Sequence, residues 1–254
     1  YETTVGAALP VLHALEGLRL SGDRVRSIIA VLSGSLSFVC AQLAIGVRFS
    51  AAVRAAADRG FTEPHPADDL SAEDVARKLV ILLRHAGVEV ERDEIEVESL
   101  LPPSGAEPAG EHDVKAFLER LATLDTAWGW RATAAAAAGR VLVPLARWSG
   151  GAARFTVEEV PASSPFARLR PGENLVVVET ERYRDPPLTI AGPGAGPAIT
   201  AAGVLAEVVL AARQLAGGGS DRPSRRTSRA QAVPLYERPE PSAPAPASEA
   251  SAAS

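Results

Sequence analysis

The apolar pattern changes period along the chain, and that change limits the folds open to it. Up to about residue 138 most apolar residues recur at helical spacing, as in Pro10–Arg19, Leu36–Ile45, Phe49–Gly60 and the stretch that opens at Ser71. Beyond that point Arg140–Trp148, Ala153–Val160, Asn174–Arg184 and Leu188–Ala191 read as strands separated by Gly/Pro turns. Tyr1–Leu9, Val25–Leu32 and Ile95–Ser99 also read as extended, while His112–Ala138 reads as mostly helical and Pro102–Glu111 as a loop. Helices first and strands later predict an α+β fold, a mixed and mainly antiparallel sheet with flanking helices, over a regular βαβ alternation. A last helix, Ala198–Ala216, ends at Gly217-Gly218-Gly219. We therefore expect one domain over residues 1–217. The Pro/Ser/Ala/Arg-rich stretch 218–254 lacks periodicity and reads as a disordered tail.

Composition removes several classes of function. A formal charge of −5 argues against a nucleic-acid binder. The single cysteine, Cys40, excludes a disulfide framework and points to a cytoplasmic setting. No stretch holds about 20 uninterrupted apolar residues, so no membrane span is expected; Ile199–Ala212 comes nearest, and Glu207 breaks it. The four histidines, at 13, 65, 85 and 112, show no metal-binding spacing. The chain contains no methionine and begins at Tyr1 within an apolar, glycine-bearing run, which reads as a piece of something longer.

The richest chemistry lies between Ala56 and Lys78. A helix ends at Gly60, a Pro64-His65-Pro66 loop follows, and a second helix opens at Ser71. Glu63, Asp68, Asp69 and Asp74 crowd the junction, and Lys78 sits one turn inside the second helix. At about 100° per residue Arg77 and Arg84 share the solvent side, and Asp74 and Lys78 fall on the margin of the apolar surface. Two structural readings compete with a binding site: Asp74–Lys78 as an ordinary i,i+4 ion pair, and Ser71-x-x-Asp74 as a variant capping box. Lysine usage favours chemistry. Of 26 basic residues only Lys78 and Lys115 are lysine. Where arginine is so preferred, a lysine on an apolar margin suggests a role in proton transfer, since lysine can give up a proton and arginine cannot. Four carboxylates around one ammonium would suit a small molecule carrying both an amine and an acid.

Two small-residue turns are further candidates. Ser33-Gly34-Ser35 would lead a strand into a helix with free N–H groups for a ligand oxygen. Gly192-Pro193-Gly194-Ala195-Gly196-Pro197 precedes the last helix but is not the G-x-G-x-x-G fingerprint.

Taken together, Glu2-Thr3-Thr4-Val5-Gly6-Ala7, Ser33-Gly34-Ser35-Leu36-Ser37, the Gly60–Lys78 stretch, Thr180-Glu181-Arg182-Tyr183 and Gly192–Val204 resemble the catalytic, substrate-binding half of homoserine dehydrogenase. The Ser-Gly-Ser-Leu-Ser version is most similar to the form fused behind an aspartate kinase. The resemblance implies NAD(P)H-dependent, reversible reduction of L-aspartate 4-semialdehyde to L-homoserine, in threonine, methionine and isoleucine biosynthesis. It also implies roles for individual residues. Lys78 would give its proton to the carbonyl oxygen; Glu63 would bind the substrate amine, supported by Asp69, and Asp74 would hydrogen-bond the substrate. Gly60 and Gly196 would approach the cofactor, and Glu2, Val5, Ala7 and Leu9 would hold a structural sodium ion, mostly through carbonyls. An upstream Rossmann domain, joined in the fused form by an aspartate kinase domain, and a homodimer are the implied partners; without the nucleotide-binding part this chain would be inactive. A degenerate paralogue kept as a dimerisation or amino-acid-binding module is the alternative. Three positions depart from the family pattern: His65 replaces a small polar residue, Phe61 a tyrosine, and Ala72 a glycine. The last matters if that backbone needs a positive φ.

Overall fold

The computed structural model describes residues 1–102 and 113–216. Most of the expected loop at Pro102–Glu111, together with Gly217-Gly218-Gly219 and the expected tail, lies outside the described residues. Eight α-helices are found among the described residues: α1 (Val11–Leu20), α2 (Gly34–Ala44), α3 (Phe49–Asp58), α4 (Pro66–Leu70), α5 (Glu73–His85), α6 (Val114–Arg120), α7 (Asp125–Ala137) and α8 (Pro197–Ala216). The strands are β1 (Val25–Val31), β2 (Ile95–Val97), β3 (Arg140–Ser149), β4 (Ala152–Pro161), β5 (Glu173–Thr180) and β6 (Leu188–Pro193).

The strands form one sheet in the order β2-β4-β3-β1-β5-β6. Every neighbouring pair is antiparallel except β2 with β4. The mixed, mainly antiparallel sheet expected of an α+β fold is therefore present. Its centre is the early strand β1, whose Ile28 lies opposite Trp148 on one side and Val178 on the other. Alternation along each strand divides the apolar residues between two faces. Ile28, Ala30, Leu142, Ala146, Phe155 and Val178 join the main core with residues of α1, α2, α3, α5 and α7. Val31, Val143, Leu145 and Val160 form a smaller cluster on the other face, packed by Phe166, Ala167 and Leu169. Cys40 is sealed in the main core, and burial pushes its thiol up to about 12.

Three sequence expectations need correcting. Tyr1–Leu9 is not a strand: Glu2–Thr4 is a 3-10 turn, and Ala7 takes a positive φ of 56°. The reason lies in Glu2, whose buried carboxylate accepts hydrogen bonds from the N–H groups of Leu12 (2.8 Å) and His13 (3.0 Å). The segment folds back to cap α1 instead of pairing with a sheet. Strand β5 stops at Thr180, not Arg184, because Thr180 Oγ1 donates to buried Asp23 (2.8 Å) and accepts from the N–H groups of Arg182 (3.1 Å) and Tyr183 (2.8 Å). Thr180–Tyr183 is thus a turn locked to the α1–β1 connection. Finally, α5 does not open at Ser71. The Pro-x-Pro loop holds the one-turn helix α4, capped by His65, whose Nδ1 accepts from the Ala67 N–H at 3.2 Å. The N-cap of α5 is Ala72, at φ 60° and ψ 13°.

Helix α8 stands apart from the core. It touches the N-terminal turn through Gly203, where an added Cβ would lie 2.6 Å from Thr3 Cγ2 and 2.9 Å from Ala8 Cβ. Glu207 accepts from the Glu2 N–H at 2.8 Å. By length and composition alone it could cross a membrane, although Glu207 interrupts its apolar run as expected.

Candidate active site

The site is assembled where β1 ends and three helices begin. Strand β1 delivers Leu32 and Ser33 to the start of α2, whose N-cap Ser33 accepts from the Leu36 N–H at 3.2 Å. Opposite it, α4 and α5 meet at Ala72, a buried residue in the left-handed region. That conformation costs an L-residue about 1–2 kcal/mol. It turns the chain sharply enough for Asp69 and Asp74 to face the same cleft.

Lys78 is fixed by two partners. Its Nζ lies 2.7 Å from Asp74 Oδ2 and donates to the Leu32 carbonyl at 3.2 Å. The lysine side chain is 23% exposed and that of Asp74 60% exposed, so the ammonium sits at a rim, with its stem against the protein. An ammonium has three donors. These two contacts occupy two of them.

Asp69 is set deeper. Its Oδ1 accepts from Ser35 Oγ at 2.6 Å and its Oδ2 from the Glu63 backbone N–H at 2.8 Å. Burial pushes its carboxyl above the usual range, and the neighbouring Asp74 and Asp68 add to the rise; the bonds from Ser35 and Glu63 oppose it. The Glu63 side chain is exposed. Glu63, Asp68, Asp69, Ser71, Glu73, Asp74 and Arg77 border an open cleft of about 730 Å³, floored by Val97 and Ser99.

The structure thus brings together Glu63, Asp69, Asp74 and Lys78, but not as four carboxylates around one ammonium. Only Asp74 reaches Lys78. Asp69 holds the loop that carries Glu63, and Asp68 is exposed at the cleft edge. The capping box proposed for Ser71 and Asp74 is absent: Ser71 Oγ donates to the Asp68 carbonyl at 2.7 Å and accepts from the Glu73 N–H at 3.3 Å. His65 turns inward, its ring centroid 4.9 Å from that of Phe117, and its Nε2 is buried without a hydrogen-bond partner among the described residues.

Gly60, at φ 68°, and Gly196, at φ 138°, both leave open space where a side chain would start. Gly194 is needed for close approach: an added Cβ would sit 2.2 Å from the Asn174 side chain. Glu2, Val5, Ala7 and Leu9 follow one another around the N-terminal turn. The Glu2 carbonyl accepts from the Val5 N–H at 3.5 Å and the Leu9 carbonyl from the Val11 N–H at 2.7 Å; among the described residues no N–H donates to the carbonyls of Val5 and Ala7.

Sequence reasoning passed over two contributors, the Leu32 carbonyl and the Ser35 hydroxyl. The pattern Ser-x-Ser at a strand-to-helix junction was visible, but it was read for its N–H groups.

The family model described as "Homoserine dehydrogenase" matches residues 10–209. A bifunctional aspartokinase/homoserine dehydrogenase of Haemophilus influenzae is 40% identical over 209 residues, 82% of this chain and 25% of that protein. A homoserine dehydrogenase of Paracoccidioides brasiliensis is 38% identical over 226 residues, 85% of this chain and 60% of that protein. In fold, a hyperthermophilic archaeal homoserine dehydrogenase in complex with NADPH superimposes with a TM-score of 0.60 at 21% identity, over 84% of this chain and 55% of that one. The chain therefore spans only part of its relatives, a quarter of the bifunctional protein and three fifths of the shorter one. Within that span, the chain belongs to the homoserine dehydrogenase family.

Proposed function

We propose that this chain is the substrate-binding, proton-donating part of an NAD(P)H-dependent homoserine dehydrogenase, which interconverts L-aspartate 4-semialdehyde and L-homoserine. One observation carries the reading: a lysine ammonium clamped between the Leu32 carbonyl and Asp74, a carboxylate that itself borders the acidic cleft. A nicotinamide, when bound, would supply hydride for the aldehyde carbon. The third donor of Lys78 gives its proton to the carbonyl oxygen, and water restores it. Glu63 and Asp74 receive the substrate ammonium, and Asp69 keeps Glu63 in place through its backbone. Open backbone at Gly60 and Gly196 suits close approach of a flat ring, which a side chain would obstruct.

Several attributes of the intact protein follow the same reading. Val5 and Ala7, with carbonyls not used by backbone N–H groups, fit a weakly held sodium ion together with the Glu2 and Leu9 carbonyls. The Glu2 side chain is engaged with α1, so its carbonyl would serve. A nucleotide-binding domain, a kinase domain such as the relatives of the bifunctional type carry, and a second copy paired through the later strands are the proposed partners. The proposed setting is the cytoplasm, without membrane or nucleic acid.

The test is kinetic. In the full-length enzyme Lys78→Ala should lower kcat by about 10²–10⁴-fold, with NADPH affinity and fold retained. Lys78→Arg should be nearly as damaging, since arginine does not release its proton. Turnover like that of the parent in Lys78→Ala would overturn the assignment.

A further inference from the structure

The β1–α2 turn reaches both halves of the site, and its hydrogen bonds have a fixed direction. Ser35 has one hydroxyl proton, and it goes to Asp69 Oδ1 at 2.6 Å. The 3.0 Å contact between Ser33 Oγ and Ser35 Oγ must then be a donation from Ser33. Ser33 in turn accepts from the Leu36 N–H. Donation runs from the α2 backbone through two buried serines into Asp69, and the Glu63 N–H meets the other carboxylate oxygen. The Leu32 carbonyl in the same turn holds Lys78.

Resting on the function proposed above, we infer that Ser35 is a positioning residue for recognition of the substrate amine, acting through Asp69. Its hydroxyl replaces the water that a half-buried carboxylate has lost and fixes the plane of that carboxylate. The carboxylate then holds the Glu63 backbone, so the alignment of Glu63 against an ammonium begins at the end of β1. The charged groups sharing the cleft with Asp69 are Glu63 on the loop, Asp68 on α4, and Glu73, Arg77 and Asp74 with its partner Lys78 on α5. Burial opposes ionisation of Asp69 most, and Asp74 and Asp68 add to it; the bonds from Ser35 and the Glu63 N–H favour the anion. Removing the hydroxyl raises the carboxyl further, so the acidic limb of activity must move to higher pH.

The experiment is a double-mutant cycle in the full-length holoenzyme, with Ser35→Ala, Asp69→Asn and their combination, followed by steady-state kinetics across pH. Ser35→Ala should raise KM for L-homoserine about tenfold, leave KM for the nicotinamide cofactor unchanged, and shift the acidic limb of kcat/KM upward in pH. Ser35→Thr, which keeps the hydroxyl, should restore both quantities. In the Asp69→Asn background Ser35→Ala should add nothing. Ser35→Cys, which keeps the volume and weakens the donor, makes the same test if the alanine variant unfolds. An equal penalty with and without Asp69, or an unchanged KM and pH profile, would overturn the positioning role. Lys78→Ala is run in parallel. Inactivity there with a silent Ser35→Ala removes only the present inference, whereas activity there removes the function on which it rests.

Discussion

Helices α5 and α8 are both rich in aliphatic residues, yet the fold uses them in opposite ways. In α5 the apolar residues keep to one side: Val75, Ala76, Leu79, Val80, Leu82 and Leu83 are buried, while Arg77 and Arg84 face solvent. In α8 they spread around the axis, and Val204, Leu205, Val208, Val209, Leu210 and Leu215 are all exposed. Helix α5 is therefore held by burial, at about 1.5–3 kcal/mol for each large side chain. Helix α8 is held at one close crossing, Gly203, and at Glu207. The difference separates a helix that makes the site from one attached to it. Pattern along the axis, not apolar content, tells them apart.

That contrast breaks most easily at Leu79, which is fully buried. Leu79→Ala should cost about 2–5 kcal/mol, measured by urea unfolding with tryptophan emission as the signal. A cost like that of a surface position would place α5 among the loosely attached elements. Next comes Gly203→Ala. An alanine in a helix ordinarily gains up to about 1 kcal/mol over glycine. Here the added methyl meets Thr3 and Ala8, so a net loss of about 1–3 kcal/mol is expected. Gly17 in α1 sharpens the point, since nothing lies within 4 Å of a Cβ added there. Gly17→Ala should stabilise by up to about 1 kcal/mol.

The start of α5 supplies a gain of similar size from the reverse substitution. Ala72→Gly relieves the left-handed strain but loosens the unfolded chain, leaving a gain of about 0.5–1 kcal/mol. The melting temperature should rise, and a fall would mean that the buried methyl of Ala72 contributes more than its backbone costs. Smallest of all is Leu205→Ala in α8, at 63% exposure. It should change stability by no more than about 0.5 kcal/mol in this chain. A larger loss would show α8 packed against a partner.

These particulars also mark what the sequence revealed. Period located α5 to within two residues of its start, and the strands β1, β3 and β4, because burial on one face leaves a regular trace. Spacing placed Asp74 beside Lys78, since residues four apart share a helix face. The glycine-to-alanine departure at residue 72 pointed to a positive φ, which the backbone adopts. What stayed hidden depended on partners distant in the chain. Glu2 capping α1 turned a strand-like run into a turn, and Asp23 ended β5 early. The Ser35–Asp69 bond joins residues on different elements, and no local periodicity records it. Alternation cannot report that a carbonyl, Leu32, will face a lysine.

The position of β1 has a consequence for synthesis. This strand leaves the ribosome by residue 31, its first partner begins only at residue 140, and its other neighbour begins at residue 173. The helices that cover its inner face are therefore made before either flank is available. Until then the nascent chain carries a central strand with two open edges, the arrangement most prone to pairing with the wrong neighbour. Closure of the sheet on both sides of β1 is accordingly a late event, timed by the emergence of β5.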